Sequence, residues 1–179
     1  MRRVLTMLLI CALGLGAGLT LAACGDKTKV VTDTGANGQT TVRTVADVHL
    51  AKTKFALHMG LAYGAFHRYI QKPYRAGSFK SGAENRTSTI VKAGVASAFI
   101  YHELKQAHRA AESDETLRTK LLDPFDKLLA QLNTTVDKLK AGKVPSDLGS
   151  LIGGFSGLKS LAKQAGVDFS DKNVPIPGL

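Results

Sequence analysis

Apolar residues recur at steps of three and four along four stretches of this chain, the spacing of one helix face. The first stretch starts at Val45 and carries Val48, Ala51, Phe55, Met59, Ala62, Phe66 and Tyr69. Lys72-Pro73 is expected to end it, because proline disfavours helical geometry at the residue before it. Residues 73–87 are rich in Pro, Gly, Ser and Asn and read as a loop. The second helix is expected from about 87 to 112, with Ile90, Ala93, Ser97, Tyr101, Leu104, His108 and Ala111 on one stripe. Gly94, Ala96 and Ala98 form a small-residue patch beside it. Ser113 is the expected N-cap of the third helix, with Asp114 and Glu115 near the positive end of its dipole. Its stripe is Leu117, Leu121, Phe125, Leu128, Leu132, Val136 and Leu139. Pro124 either kinks that helix or splits it, with Asp123 as a second cap. Lys138 and Lys140 suit the closing turn, and Gly142 can close it in the left-handed conformation. Ser146 is the expected cap of the fourth helix, whose stripe is Leu148, Leu151, Ile152, Phe155, Leu158 and Leu161 or Ala162. Gly166 ends it, and the tail 167–179 is expected to be extended.

Short loops between these helices predict an all-α fold, an antiparallel bundle of about four helices over residues 45–166. No strand and helix alternate, which excludes a parallel sheet. Residues 24–44 are rich in Thr, Gly, Asp and Lys and read as a flexible tether. The alternative is a hairpin pairing Val30-Val31-Thr32 with Thr40-Thr41-Val42 across Gly35 to Gly38. The tether is the favoured reading, since a lone two-stranded ribbon is marginal in water.

Ahead of the tether, Arg2 and Arg3 precede an apolar run from Val4 that ends in Leu21-Ala22-Ala23 at Cys24. Basic start, apolar core and small residues before a cut describe a secretory signal peptide over 1–23. The run is also about long enough to span a bilayer. Gly14, Gly16, Gly18 and the small residues at its end favour cleavage. Leu-Ala-Ala-Cys resembles the lipobox of bacterial lipoproteins. That resemblance implies diacylglycerol on the Cys24 thiol, a palmitate-type acyl anchor, and an extracytoplasmic protein held on a bacterial cell membrane. The only other cysteine, Cys11, leaves with the leader, so no thiol remains for a disulfide or a thiolate metal site.

The chain's formal net charge of +10 falls to +8 without Arg2 and Arg3. Residues 43–109 hold 11 basic and 3 acidic residues, whereas 110–179 hold 9 of each. A one-sided excess of this kind predicts an anionic neighbour. The richest strip is Arg68, Lys72, Arg75, Lys80 and Arg86, with Tyr69, Tyr74 and Phe79 interleaved. Such a strip can stack on rings while its cations meet phosphate or carboxylate. The competing reading folds the three aromatics onto the bundle end and leaves a solvated basic loop. Outside the membrane the expected partners are anionic lipid or cell-wall polymer, not nucleic acid.

Gly60 and Gly64 are spaced to let a second helix approach closely. Gly149, Gly153 and Gly157 repeat that spacing. Tight packing against the first two helices is their expected role, and a dimerisation or membrane-surface face is the alternative. His49, His58 and His67 lie nine apart, which puts successive ones on opposite helix faces. His58 and His102 can meet only across helices, with Glu103 nearby. No His-Glu-x-x-His or Cys-x-x-Cys-His motif is present, so no metal or cofactor is expected. Signatures of serine hydrolases and P-loop enzymes are missing too. The expected function is non-catalytic binding or structure at the cell envelope. A carrier of a small apolar ligand or haem, with a cavity beside Gly60, Gly64 and Gly94, is the first alternative. An envelope enzyme is the second.

Overall fold

The computed structural model describes residues 27–35, 37–173, 176 and 179. The expected leader over 1–23, the Leu21-Ala22-Ala23 tripeptide and Cys24 lie outside the described residues. Four long helices form the body: α1 (Ala51–Phe66), α3 (Arg86–Ser113), α4 (Glu115–Lys140) and α5 (Leu148–Gln164). A single short turn, α2 (Lys72–Arg75), extends the line of α1.

Cross-links between helices fix their directions. Val48 meets Ser113, and His58 meets Glu103, so α1 and α3 run antiparallel. His108 meets Asp126, which sets α4 against α3. Lys120 reaches Gln164 and Lys138 reaches Asp147, which sets α5 against α4. The result is the expected antiparallel four-helix bundle. Its core holds fully buried Phe55, Met59, Phe66, Ile100, Leu117, Phe125 and Phe155. Phe66 and Phe155 stack with centroids 4.2 Å apart, joining α1 to α5. Phe55 and Phe125 meet edge to face at 6.2 Å across the bundle.

Residues 28–46 form a hairpin, the less favoured of the two readings, but in a register shifted by two residues from the expected pairing of 30–32 with 40–42: Thr32 lies opposite Val42 and Val30 opposite Thr44. Strand β1 (Thr28–Thr34) pairs antiparallel with β2 (Thr40–Ala46), Thr28 opposite Ala46 and Thr34 opposite Thr40. The bundle supplies the stability that an isolated ribbon lacks. Val31 and Val45 are buried on the inner face, and Arg118 of α4 donates to Asp33 at 2.7 Å. Val30 and Val42 stay exposed on the outer face.

Pro73 does not end the first helix. A π turn, His67–Gln71, precedes it, and the Lys72 N–H donates to the carbonyl of His67, five residues back. The wider turn moves backbone away from the proline ring that an α-turn would bring against it. The helix therefore runs on to Arg75. It closes where Ser78 N–H meets the Pro73 carbonyl and Gly77 N–H meets that of Tyr74, with Gly77 at φ 72°. The π turn also advances the buried stripe, so Ile70 and Gln71 are buried and Tyr69 only partly so. On α3 the core face includes Ile100, Leu104 and Ala107, while Ala98 of the small-residue patch is exposed.

The cap of α4 is Asp114, whose side chain accepts from Leu117 N–H at 3.0 Å. Ser113 instead ends α3, and its hydroxyl accepts the Val48 N–H at 2.9 Å. Helix α4 passes Pro124 unbroken, so Asp123 caps nothing. Gly142 closes it with φ 70°, as expected. Asp147, not Ser146, occupies the cap position of α5.

The tail beyond Gly166 turns back and lies along α1. Phe169 is buried beside Phe55 and Tyr63, and Lys172 N–H donates to the Gly60 carbonyl at 3.2 Å. Gly60 and Gly64 do permit a close approach, but of this tail rather than of a helix. A Cβ at Gly60 would sit 2.9 Å from the Ser170 oxygen, and one at Gly64 would fall on the Lys172 carbonyl. Gly149, Gly153 and Gly157 make no tight packing at all. They are exposed, and only the Tyr74 hydroxyl comes within 4 Å of a Cβ placed on any of the three, 3.9 Å from one on Gly149.

Candidate functional site

The bundle has two unlike ends, and the topology makes them so. Antiparallel helices bring the α2–α3 connection, the start of α3, the end of α4 and the α4–α5 loop to one end. The hairpin, the α3–α4 junction and the starts of α1 and α4 lie at the other. The rod from Ala51 to Arg75 separates them by about 37 Å at 1.5 Å per residue.

The far end is basic. Arg68, Lys72, Arg75, Lys80, Arg86 and Lys92 come from one side of the chain, and Lys138, Lys140 and Lys143 from the other. Glu84, Asp137 and Asp147 are the acids in the same segments, and Asp147 is 3.6 Å from Lys138. Arg68, Lys72, Arg75 and Lys80 are exposed and have no carboxylate within ion-pair distance among the described residues. Arg86 is half-buried, and its Nε donates to the Phe79 carbonyl at 3.1 Å. The structure thus brings together the five cations expected of an anionic-surface site. To the run from Arg68 to Lys92 it adds Lys138, Lys140 and Lys143, which linear charge counting does not single out. The signal for them was present: short loops in an antiparallel bundle must meet in alternate pairs.

Local geometry sets which way these cations face. Residues 68, 72 and 75 share one helix side by spacing of four and three, the side away from Ile70 and Gln71. The interleaved aromatics divide. Phe79 is buried, Tyr69 is partly buried against the core, and Tyr74 remains 41 % exposed. Two hollows flank this corner. One of about 280 Å³ is lined by Gly64, Arg68, Lys72, Asp171 and Asn173, where the tail crosses α1. The other, about 380 Å³, is lined by Tyr74, Arg75, Gly77, Phe79, Lys80 and Val144.

The near end has a different character. A polar crevice of about 700 Å³ lies between the hairpin and α4. Asp33 bridges Arg118 and Arg43 there, at 2.7 and 2.9 Å. The hydrogen bond from Arg118, opposed by burial and aided by the charges of Arg118 and Arg43, holds its carboxyl below the ordinary 3.8. Every strong cation in this crevice is already engaged by a carboxylate, so it reads as the hairpin's attachment.

Three of the five histidines, His58, His67 and His108, act as ties between elements. His58 Nδ1 donates to Glu103 at 2.7 Å, His67 Nδ1 to Asp171 at 2.5 Å and His108 Nε2 to Asp126 at 2.9 Å. Among the described residues no three His, Cys, Asp or Glu side chains converge to hold a metal ion. His102 does not join His58; Glu103, its neighbour in sequence, does. The tail packs against Gly60 and Gly64, and what it leaves beside Gly64 is the polar hollow of about 280 Å³ rather than the apolar cavity expected of a ligand carrier. Beside Gly94 there is an open apolar groove of about 390 Å³, with Val91, Val95, Ala98 and Leu139.

Among the described residues no helix is long and apolar enough to cross a membrane. Comparison of the chain with family models, with curated proteins and with solved structures finds no match.

Proposed function

We propose that this chain is a lipid-anchored protein of the cell envelope that acts by binding, its far basic end engaging an anionic polymer of the wall. The observation that carries the reading is the position of the cations. They gather at one end of a rod about 37 Å long, and the other end receives the chain from Cys24. Four residues of chain reach at most about 14 Å, so an acyl group on Cys24 stays near the start of β1. The hairpin's outer face there is uncharged, with Val30, Thr32, Val42 and Thr44. A bilayer beside the hairpin leaves the basic end facing away from it. That favours wall polymer over headgroups of the anchoring membrane. Tethering raises the effective concentration of weak ionic contacts, so individually feeble ones suffice.

The test uses the full chain, recovered with its lipid in detergent, and mixed with wall fragments or with anionic vesicles. Intact mass should show the acyl modification on Cys24. Wall binding should fall steeply with salt and be lost when Arg68, Lys72, Arg75 and Lys80 are all changed to glutamine. Unchanged wall binding by that variant ends the proposal. Salt-sensitive binding to vesicles but not to walls transfers the site to lipid.

A further inference from the structure

The hollow under Tyr74 differs from the rest of the basic end because it offers an apolar wall as well as charge. Tyr74 and Arg75 stand at the last turn of the first helix, and the chain then reverses through Gly77 at φ 72°. That reversal lays Lys80 back along the turn. Its Cδ lies 3.4 Å and its Nζ 3.8 Å from where a Cβ on Gly77 would be. Val144, from the α4–α5 loop, also lines the hollow. The Tyr74 ring is partly exposed and has no ring-stacking partner among the described residues. The volume, about 380 Å³, is at the small end of ligand sites.

The lining selects a narrow chemistry. No carboxylate or side-chain amide is among the lining residues, so neutral sugars and nucleobase edges find few fixed acceptors. Arg75 and Lys80 are exposed cations whose field favours a negative charge on whatever enters. An inorganic ion satisfies the two cations but leaves the Tyr74 face wet. A ring with a charged substituent satisfies both.

We infer that the hollow of Tyr74, Arg75 and Lys80 holds a ring-bearing anion, a sugar unit carrying phosphate or carboxylate. The inference rests on the wall-polymer reading of this end and names the unit that is recognised. The ring face lies on Tyr74 and against Val144, and the anionic group sits between Arg75 and Lys80. Covering about 50 Å² of apolar ring face corresponds to roughly a tenfold gain in affinity over the bare anion.

The experiment titrates the full lipid-bearing chain in detergent at low salt, following the backbone amide resonances of residues 75–80 by NMR, which the parent and both Tyr74 variants share. The probes are glucose 6-phosphate, glucuronate, glucose, acetate and inorganic phosphate. Glucose 6-phosphate should bind about tenfold tighter than phosphate, glucuronate about tenfold tighter than acetate, and glucose not measurably. Tyr74→Phe should retain the margin, because the ring face does the selecting. Tyr74→Ala should erase it while leaving phosphate binding intact. Circular dichroism checks that both variants fold. Equal affinity for ring and non-ring anions, or an unaltered margin in Tyr74→Ala, overturns the inference. Wall binding that survives such a result leaves the polymer reading standing on charge alone. Ring-anion selectivity without wall binding defeats the polymer reading and keeps the hollow as a small-molecule site.

Discussion

Glycine is worth opposite signs at two places in this molecule. Gly64→Ala puts a Cβ onto the Lys172 carbonyl, with the Asp171 carboxylate 2.7 Å away. Both obstacles belong to the tail, and one is backbone, so the tail must leave. Its departure costs the Lys172–Gly60 hydrogen bond, worth about 1 kcal/mol, and the half-exposed His67–Asp171 pair, worth about 0.5 kcal/mol. If Phe169 follows, about 2 kcal/mol of burial goes as well. Against this stands a gain of about 1 kcal/mol from replacing a helical glycine. The net expectation is a loss of about 0.5 kcal/mol if Phe169 stays and about 2.5 kcal/mol if it follows. Gly153→Ala and Gly157→Ala meet nothing within 4 Å, so each should stabilise by about 1 kcal/mol. Urea unfolding followed by circular dichroism measures both signs, and limited proteolysis of the tail separates local release from global loss. A Gly64→Ala protein as stable as Gly153→Ala, with a protected tail, would refute the docking of the tail on α1.

The hairpin's attachment should depend on acid. Asp33 titrates below 3.8 when folded, so its contribution is complete above that value and fades as pH drops through the lower folded value. Its side chain is about one-third exposed, which limits the screened contribution to about 1 kcal/mol. Asp33→Asn should lower the urea midpoint at pH 6 and cease to differ from the parent below the folded titration. Phe155→Ala, which removes the ring stacked on Phe66, should cost about 3–5 kcal/mol in the same assay. Glu103→Ala leaves the His58 donor without its carboxylate and should cost about 1–3 kcal/mol.

The four helices were legible because each buries its own stripe, a local property of three-and-four spacing. Leu117 to Leu139 on α4 reads out almost residue for residue. Errors fall where a distant partner decides. Ser113 is a good cap by type, but Val48, sixty-five residues earlier, takes its hydroxyl, and Asp114 does the capping. Pro73 reads as a stop, and only a π turn, whose spacing leaves no mark in the pattern, lets the helix pass. Gly60 and Gly64 announce a close approach without naming the visitor. It is an aperiodic tail more than a hundred residues on. Gly149, Gly153 and Gly157 share that spacing, yet Gly153 and Gly157 lie two residues either side of buried Phe155. At about 100° per residue that places them opposite the core. Their exposure was readable, and the repeat spacing hid it.

Charge is the property that linear reading most distorted. Counted along the chain from Cys24, the excess belongs to residues 43–109 and the remainder is neutral. Folding regroups it by helix end. Lys138, Lys140 and Lys143 leave the neutral half to join Arg68 through Lys92, while Asp123 and Asp126 stay with the hairpin end. The far-end segments then hold nine cations against three acids, six of the eight excess charges of residues 24–179. Desolvation keeps such a cluster out of a core, and self-repulsion disfavours it on a surface without a partner. Two of its members, Arg75 and Lys80, border an aromatic face that solvent touches. A field alone attracts any anion. It takes the ring beside the charge to prefer one, so the selectivity of this end rests with Tyr74, and its strength with the cations around it.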